Sequence, residues 1–182
     1  MNTSKQISQI DIDNLKLIRE SVDTLFKAIA DRVNQRETNS YKILEIAPQV
    51  NNSVSQYFNT SNIDTLDIDA STNSTYTADL CNNNSEIIPD NFYDIVVCTE
   101  VLEHTLQPFH AVDEIFRILK PGGTCYISTP FNFRIHGPLP DCWRFTEHGL
   151  RQLFVNFNDV EIHATESDRF LAPIHYTLTA KK

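Results

Sequence analysis

From Asp13 to Val33 apolar residues return every three or four positions, at Leu15, Ile18, Val22, Leu25, Ile29 and Val33. That spacing predicts one helix with a narrow apolar stripe, capped by Asp11 or Asp13. The polar run "NQRETNS" ends it, and the pattern then changes. Short runs rich in Ile, Val and Leu predict strands over 42–47, 63–68, 93–98 and 124–129, with a shorter one over 75–79. Between them fall a brief helical segment near 53–59 and a helix from Pro108 to Leu119. "ILKPGG" stops that helix, with a lysine expected in its last turn and glycines just beyond. After a further helix near 146–156, "DVEIHATE" and "IHYTLTA" alternate apolar and polar positions, as an antiparallel hairpin at a sheet edge does. Strands alternating with helices predict an α/β fold, a doubly wound, Rossmann-like and mostly parallel sheet covered on both faces.

At 182 residues the chain suits one domain, with 1–40 as an N-terminal helical segment and 41–182 as the sheet core. No apolar run approaches the length of a membrane span, and the N-terminus lacks the apolar core of a secretory signal, so a soluble cytoplasmic protein is expected. A net charge of -9 with only 15 Lys plus Arg excludes the clustered basic surface that phosphate backbones require, so no nucleic-acid partner is expected. Cys81, Cys98, Cys125 and Cys142 contain no C-x-x-C pair; they read as small buried hydrophobes, and no metal is expected.

The stretch "NFYDIVVCTEVLEHTLQPFHAVDEIFRILKPGGTCYISTPF" closely resembles the fourth strand, helix and fifth strand of class I S-adenosylmethionine-dependent methyltransferases of the small-molecule branch. "YDIVV", "EVLEH", "EIFRILKPGG" and "ISTPF" carry the likeness in that order, over about residues 90–155. The later "IHGPLPDCWRFTEHGLRQLF" is similar to a segment of members found with sugar and cell-envelope biosynthesis. The resemblance implies a sheet of about seven strands, S-adenosylmethionine as cofactor and methyl transfer to an O or N atom of a small metabolite, a sugar or sugar-linked intermediate among them.

Carried onto this chain, the family's first-strand motif, acidic-x-Gly-x-Gly-x-Gly, reads Glu45-Ile46-Ala47-Pro48-Gln49-Val50-Asn51, with every glycine replaced. Glycines in such a loop let backbone approach a pyrophosphate. S-adenosylmethionine has none, so a reshaped loop can still serve. Ala47 is the smallest substitute, Pro48 biases it towards an extended conformation, and Asn51 or Asn52 tolerates the left-handed region. The resemblance further implies that Asp67, with Ile68 beside it, accepts the ribose hydroxyls, though a turn carboxylate would look the same. Asp79 and the Leu80 amide would read the adenine, or Asp79 caps a turn. Thr99 and Glu100 would lie under the methionine end. His104 serves the acceptor or simply packs.

"HGPLPDCWRF" has the density of reactive side chains that an acceptor site needs. His136 is a candidate general base with Asp141 orienting it, Trp143 a stacking surface and Arg144 a partner for a carboxylate or phosphate. The structural alternative pairs Asp141 with Arg144 and packs Trp143 on the core. A rival to the enzyme is a degenerate, non-catalytic relative acting in a complex, favoured by the glycine-free loop. The N-terminal stripe is expected to cover the sheet's carboxyl edge or to pack against a second subunit in a homodimer.

Overall fold

The computed structural model describes residues 7–34, 41–49, 53–57 and 62–182. Helix α1 (Gln9–Asn34) precedes β1 (Ile43–Ile46), β2 (Ile63–Asp67), β3 (Tyr76–Thr77) and β4 (Tyr93–Thr99); then come α2 (Pro108–Ile118), β5 (Leu119–Pro130), α3 (Glu147–Leu153), β6 (Asn158–Thr165) and β7 (His175–Lys181). Among the described residues, single 3-10 turns at Val54–Gln56 and Ala70–Thr72 stand where longer helices would cross over, and another at Leu102–His104 precedes α2. The seven strands form one sheet in the order β3-β2-β1-β4-β5-β7-β6. β1 to β5 run parallel, while β7 is antiparallel to both β5 and β6. The expected C-terminal pair is present, with β7 inside the sheet and β6 alone at the edge.

Register explains why the central strands read as continuous apolar runs. Ile43 lies beside Ile63 and Ile95, and Cys98 beside Ile46 and Ile127. Successive residues point to opposite faces, and here both faces are buried. Leu44, Ile46, Val96, Cys98, Cys125 and Ile127 face α2 and α3. Ile43, Ile95, Val97 and Tyr126 face α1.

The α1 stripe is wider than the sequence spacing suggested, because Phe26 and Ala30 are buried with Ile18, Val22, Leu25, Ile29 and Val33. It covers a face of its own sheet and not only the carboxyl edge. Phe26 is wholly buried and meets Tyr57 edge-to-face at 5.5 Å. Ser8, not Asp11 or Asp13, caps the helix: its hydroxyl accepts from the Asp11 amide at 3.2 Å and donates to the Asp11 carboxylate at 2.7 Å. Asp13 instead bonds Gln9 along the exposed face.

The end of α2 also differs from expectation. The helix stops at Ile118 with Leu119 already extended, so Lys120 lies outside it and pairs with Asp94 at 2.7 Å. Arg117 occupies the last turn, clamped by Glu114 and Asp90. Gly123 is required: a Cβ there would meet the Lys120 carbonyl oxygen at 2.9 Å. Among the cysteines Cys98 and Cys125 are buried, whereas Cys142 is exposed, which corrects the reading of all four as core residues. No helix among the described residues is long and apolar enough to cross a membrane.

Phe26→Ala should destabilise the fold by about 3–5 kcal/mol, since it removes a sealed aromatic from the sheet face that α1 covers. Urea denaturation against the parent chain measures this, and a loss under about 1 kcal/mol would mean that α1 is a loosely held appendage.

Candidate active site at the carboxyl edge of the sheet

In a sheet ordered this way the chain reverses its winding between β1 and β4, and the segments leaving those strands part to open a crevice. A cavity of about 270 Å³ lies there. Gln49 after β1, Thr99 and Glu100 at the end of β4, and Phe133, Arg134 and His136 after β5 line it from the sheet. Leu15, Ile18, Arg19 and Val22 of α1 close the opposite wall.

Ala47 turns the chain out of β1. Its amide donates to the Leu66 carbonyl at 2.7 Å, extending the ladder, and its φ is 49°, in the left-handed region. The expectation of an extended Ala47 is therefore corrected. The ladder bond fixes where the strand must end, and the turn that follows demands the conformation a glycine would adopt there. Asn51 and Asn52 lie outside the described residues. Glu45 is buried, with its carboxylate accepting from the Ser53 hydroxyl at 2.6 Å and the Val54 amide at 2.9 Å, so it ties the far end of the loop back to β1. Burial pushes its carboxyl above the ordinary range, against the pull of those two donors.

Asp67 ends β2. Its Oδ1 accepts from the Asp69 amide at 2.9 Å, and among the described residues its Oδ2 is uncommitted. Ile68 beside it is exposed. Asp79 is alike, with Oδ1 accepting from the Cys81 amide at 2.8 Å, while Leu80 is buried. Glu100 sits at a φ of 55°, and its Oε1 accepts from the Ser128 hydroxyl at 2.8 Å and lies 2.7 Å from His175 Nε2. His175 is sealed in β7 and contacts Ser21 of α1 through Nδ1 at 3.1 Å. This chain of contacts couples α1 to the cavity wall. Sequence reasoning missed His175 because it stands 75 residues from Glu100.

The segment after β5 folds back over the turn at Leu102–His104. The Glu103 carbonyl accepts from the Cys142 and Trp143 amides at 2.7 and 3.1 Å, and the Trp143 indole donates to the Thr105 carbonyl at 2.8 Å. His104 Nδ1 lies 2.9 Å from the Pro140 carbonyl oxygen. Trp143 stacks on Phe145 and keeps 41% of its surface exposed. Arg144 grips Asp141 through both guanidinium nitrogens and also reaches the carbonyls of Phe133, Arg134 and Trp143. That guanidinium holds the Asp141 carboxyl well below the usual range. The His136 amide donates to Asp141 at 2.9 Å. The His136 Nδ1 is 3.1 Å from the same carboxylate but off the hydrogen-bond direction, so the atom is buried without a partner. Burial lowers the pKa of this ring against the opposing effect of Asp141, so it is neutral near neutral pH. Glu103 lies between His104 and His136, fully buried, and was passed over in the sequence as part of "EVLEH".

The family model described as methyltransferase domain matches residues 18–160. A solved S-adenosylmethionine-dependent methyltransferase from Archaeoglobus fulgidus superposes with a TM-score of 0.66 over 90% of this chain and 94% of that one, at 16% identity. The trans-methyltransferase CalH, solved in complex with S-adenosylhomocysteine, gives 0.59 over 86% and 54%, at 14% identity. These are likenesses of fold. In sequence, the ubiquinone biosynthesis O-methyltransferase of Psychrobacter cryohalolentis is 49% identical over 37 residues, which are 20% of this chain and 14% of that protein. A probable S-adenosylmethionine-dependent methyltransferase of Mycolicibacterium smegmatis is 44% identical over 43 residues, 24% of this chain and 17% of that one.

Ala47→Gly should leave the fold equally stable or stabilise it by up to about 1 kcal/mol, because relief of the left-handed strain outweighs the added freedom of the unfolded chain. Thermal denaturation decides; a clear loss of stability would show that the Ala47 methyl packs where it cannot be spared.

Proposed function

The chain belongs to the methyltransferase-domain family, and from that premise we propose that it transfers a methyl group from S-adenosylmethionine to an O or N atom of a small, anionic metabolite such as a sugar-linked phosphate. The carrying observation is the cavity at the strand reversal, bounded by Thr99 and Glu100 and neighboured by an uncommitted carboxylate oxygen on Asp67. When bound, the cofactor supplies an electrophilic methyl on a sulfonium. It carries no phosphate, so the loop after β1 needs the left-handed turn that Ala47 provides and not a row of glycines. Asp67 would accept the ribose hydroxyls beside Ile68, and Asp79 with the Leu80 amide would receive the adenine. Thr99 and Glu100 would face the methionine end, with Glu45 holding the loop in shape.

The acceptor would enter over the segment after β5. Arg19 and Arg134, both on the cavity wall, are better placed than Arg144 to meet an anion, since Arg144 spends its donors on the loop itself. Leu15, Ile18 and Phe133 supply an apolar floor. His136 acts on the acceptor from the wall, with Asp141 holding its backbone amide, while His104 and Trp143 flank it. Holding acceptor and methyl donor in line supplies much of the rate enhancement in such transfers.

Calorimetry should detect S-adenosylhomocysteine binding, and Asp67→Ala should weaken it by roughly 10- to 100-fold, the loss of charge-assisted hydrogen bonds. No heat from the parent protein at high ligand would favour the non-catalytic reading. In an acceptor screen with labelled cofactor, His136→Ala should lower turnover by about 100- to 10,000-fold at nearly unchanged cofactor affinity. Arg134→Ala should raise the acceptor KM and spare kcat. Equal activity on neutral and anionic acceptors would remove the charge assignment.

A further inference from the structure

We propose that Glu103, His104 and His136 bind a divalent transition-metal cation, Zn2+ being the best fit, beside the acceptor cavity. Glu103 is fully buried. Its Oε2 receives only a long contact of 3.4 Å from the Thr129 hydroxyl, and its Oε1 has no hydrogen-bond partner. A carboxylate sealed from water with one oxygen unpaired and the other weakly held asks for a positive charge. What faces it is a pair of imidazoles: His104 Nε2 and His136 Nε2 each lie 3.7 Å from Glu103 Oε1. That is too long for a hydrogen bond. It is close to the separation of about 3.3 Å between two ligands of one tetrahedral Zn2+, so each imidazole needs to approach the carboxylate by only a few tenths of an ångström, and side-chain rotation brings the two rings together around the ion. All three ligand atoms lie within 4.8 Å of one another.

The surroundings prepare both rings for this role. The Pro140 carbonyl, 2.9 Å from His104 Nδ1, can only accept, so the proton sits on Nδ1 and the Nε2 lone pair faces Glu103. Asp141, gripped by Arg144, stands 3.1 Å from His136 Nδ1 on the far side of the ring, and Nε2 is the nitrogen on the Glu103 side. Carbonyl and carboxylate partners of this kind orient metal-bound histidines. Two imidazoles with one carboxylate suit Zn2+ and leave a coordination position open, whereas Mg2+ and Ca2+ prefer oxygen donors. Because His136 also lines the acceptor cavity, the open position is within reach of an acceptor hydroxyl. That catalytic consequence rests on the proposed function; the binding itself does not.

Untagged protein, stripped with a chelator and dialysed, should take up one equivalent of Zn2+ in calorimetry with a Kd on the order of micromolar or tighter, and Co2+ should give the visible absorption of a four- or five-coordinate site. Glu103→Gln and His104→Ala should each weaken uptake by about 100-fold or more, while both still bind S-adenosylhomocysteine as evidence of a folded chain. Cys142→Ser should bind like the parent, since Cys142 is the exposed thiol nearest in sequence. No uptake by the parent, uptake unchanged in both ligand variants, or uptake lost with Cys142→Ser would overturn the proposal. Zn2+ binding without any S-adenosylhomocysteine binding would leave the metal site standing and remove the methyltransferase reading.

Discussion

A parallel sheet has two faces to cover, and in this chain that requirement governs almost everything else. β1, β4 and β5 bury side chains alternately on both sides, so neither face can meet water. α2 and α3 cover one face. The other depends on α1, because the connections after β1 and β2 contain only single 3-10 turns among the described residues. The helix is also long enough for its first turns to pass the ends of the strands, which is how Leu15 and Arg19 come to wall the cavity. One element thus completes the core and shapes the site, and the contact between Ser21 and His175 links those two duties.

The layout of the fold was legible because it follows from local periodicity. Period-two apolar runs marked the strands, and three-four spacing marked α1 and α2. Boundaries were less legible where a short polar contact decides them. Ser8 caps α1 in place of the aspartates that composition favours, and a serine at that point is only one of several polar residues in the stretch. Lys120 falls outside α2 because Leu119 turns extended to pair with Tyr93, a tertiary demand that overrides the helical pattern.

The site divides in the same way. Residues at strand ends, such as Asp67, Asp79 and Glu100, could be named because the strand pattern fixes where a chain must turn. Their partners could not. His175 reaches Glu100 across the sheet, and Glu103 meets His136 only because the chain after β5 folds back and hydrogen-bonds the turn that carries Glu103. The left-handed Ala47 was also hidden, since an alanine gives no sign in sequence of the positive φ that a glycine would announce.

Glu100 and Glu103 make the sharpest contrast in the molecule. They leave the same strand end three residues apart, and both carboxylates are turned away from bulk water. Glu100 is answered by a hydroxyl from Ser128 and a ring nitrogen from His175, so its oxygen needs nothing more. Glu103 is surrounded by groups as polar, yet the His104 ring gives its proton to Pro140, and both imidazoles present Nε2 towards the Glu103 oxygen at 3.7 Å, beyond hydrogen-bond distance. A carboxylate oxygen and two imidazole nitrogens thus converge without a hydrogen bond among them, and their neighbours Pro140, Asp141 and Arg144 hold the segment there. One cation between the three would satisfy every one of those atoms at once, which no single hydrogen bond in this geometry can do.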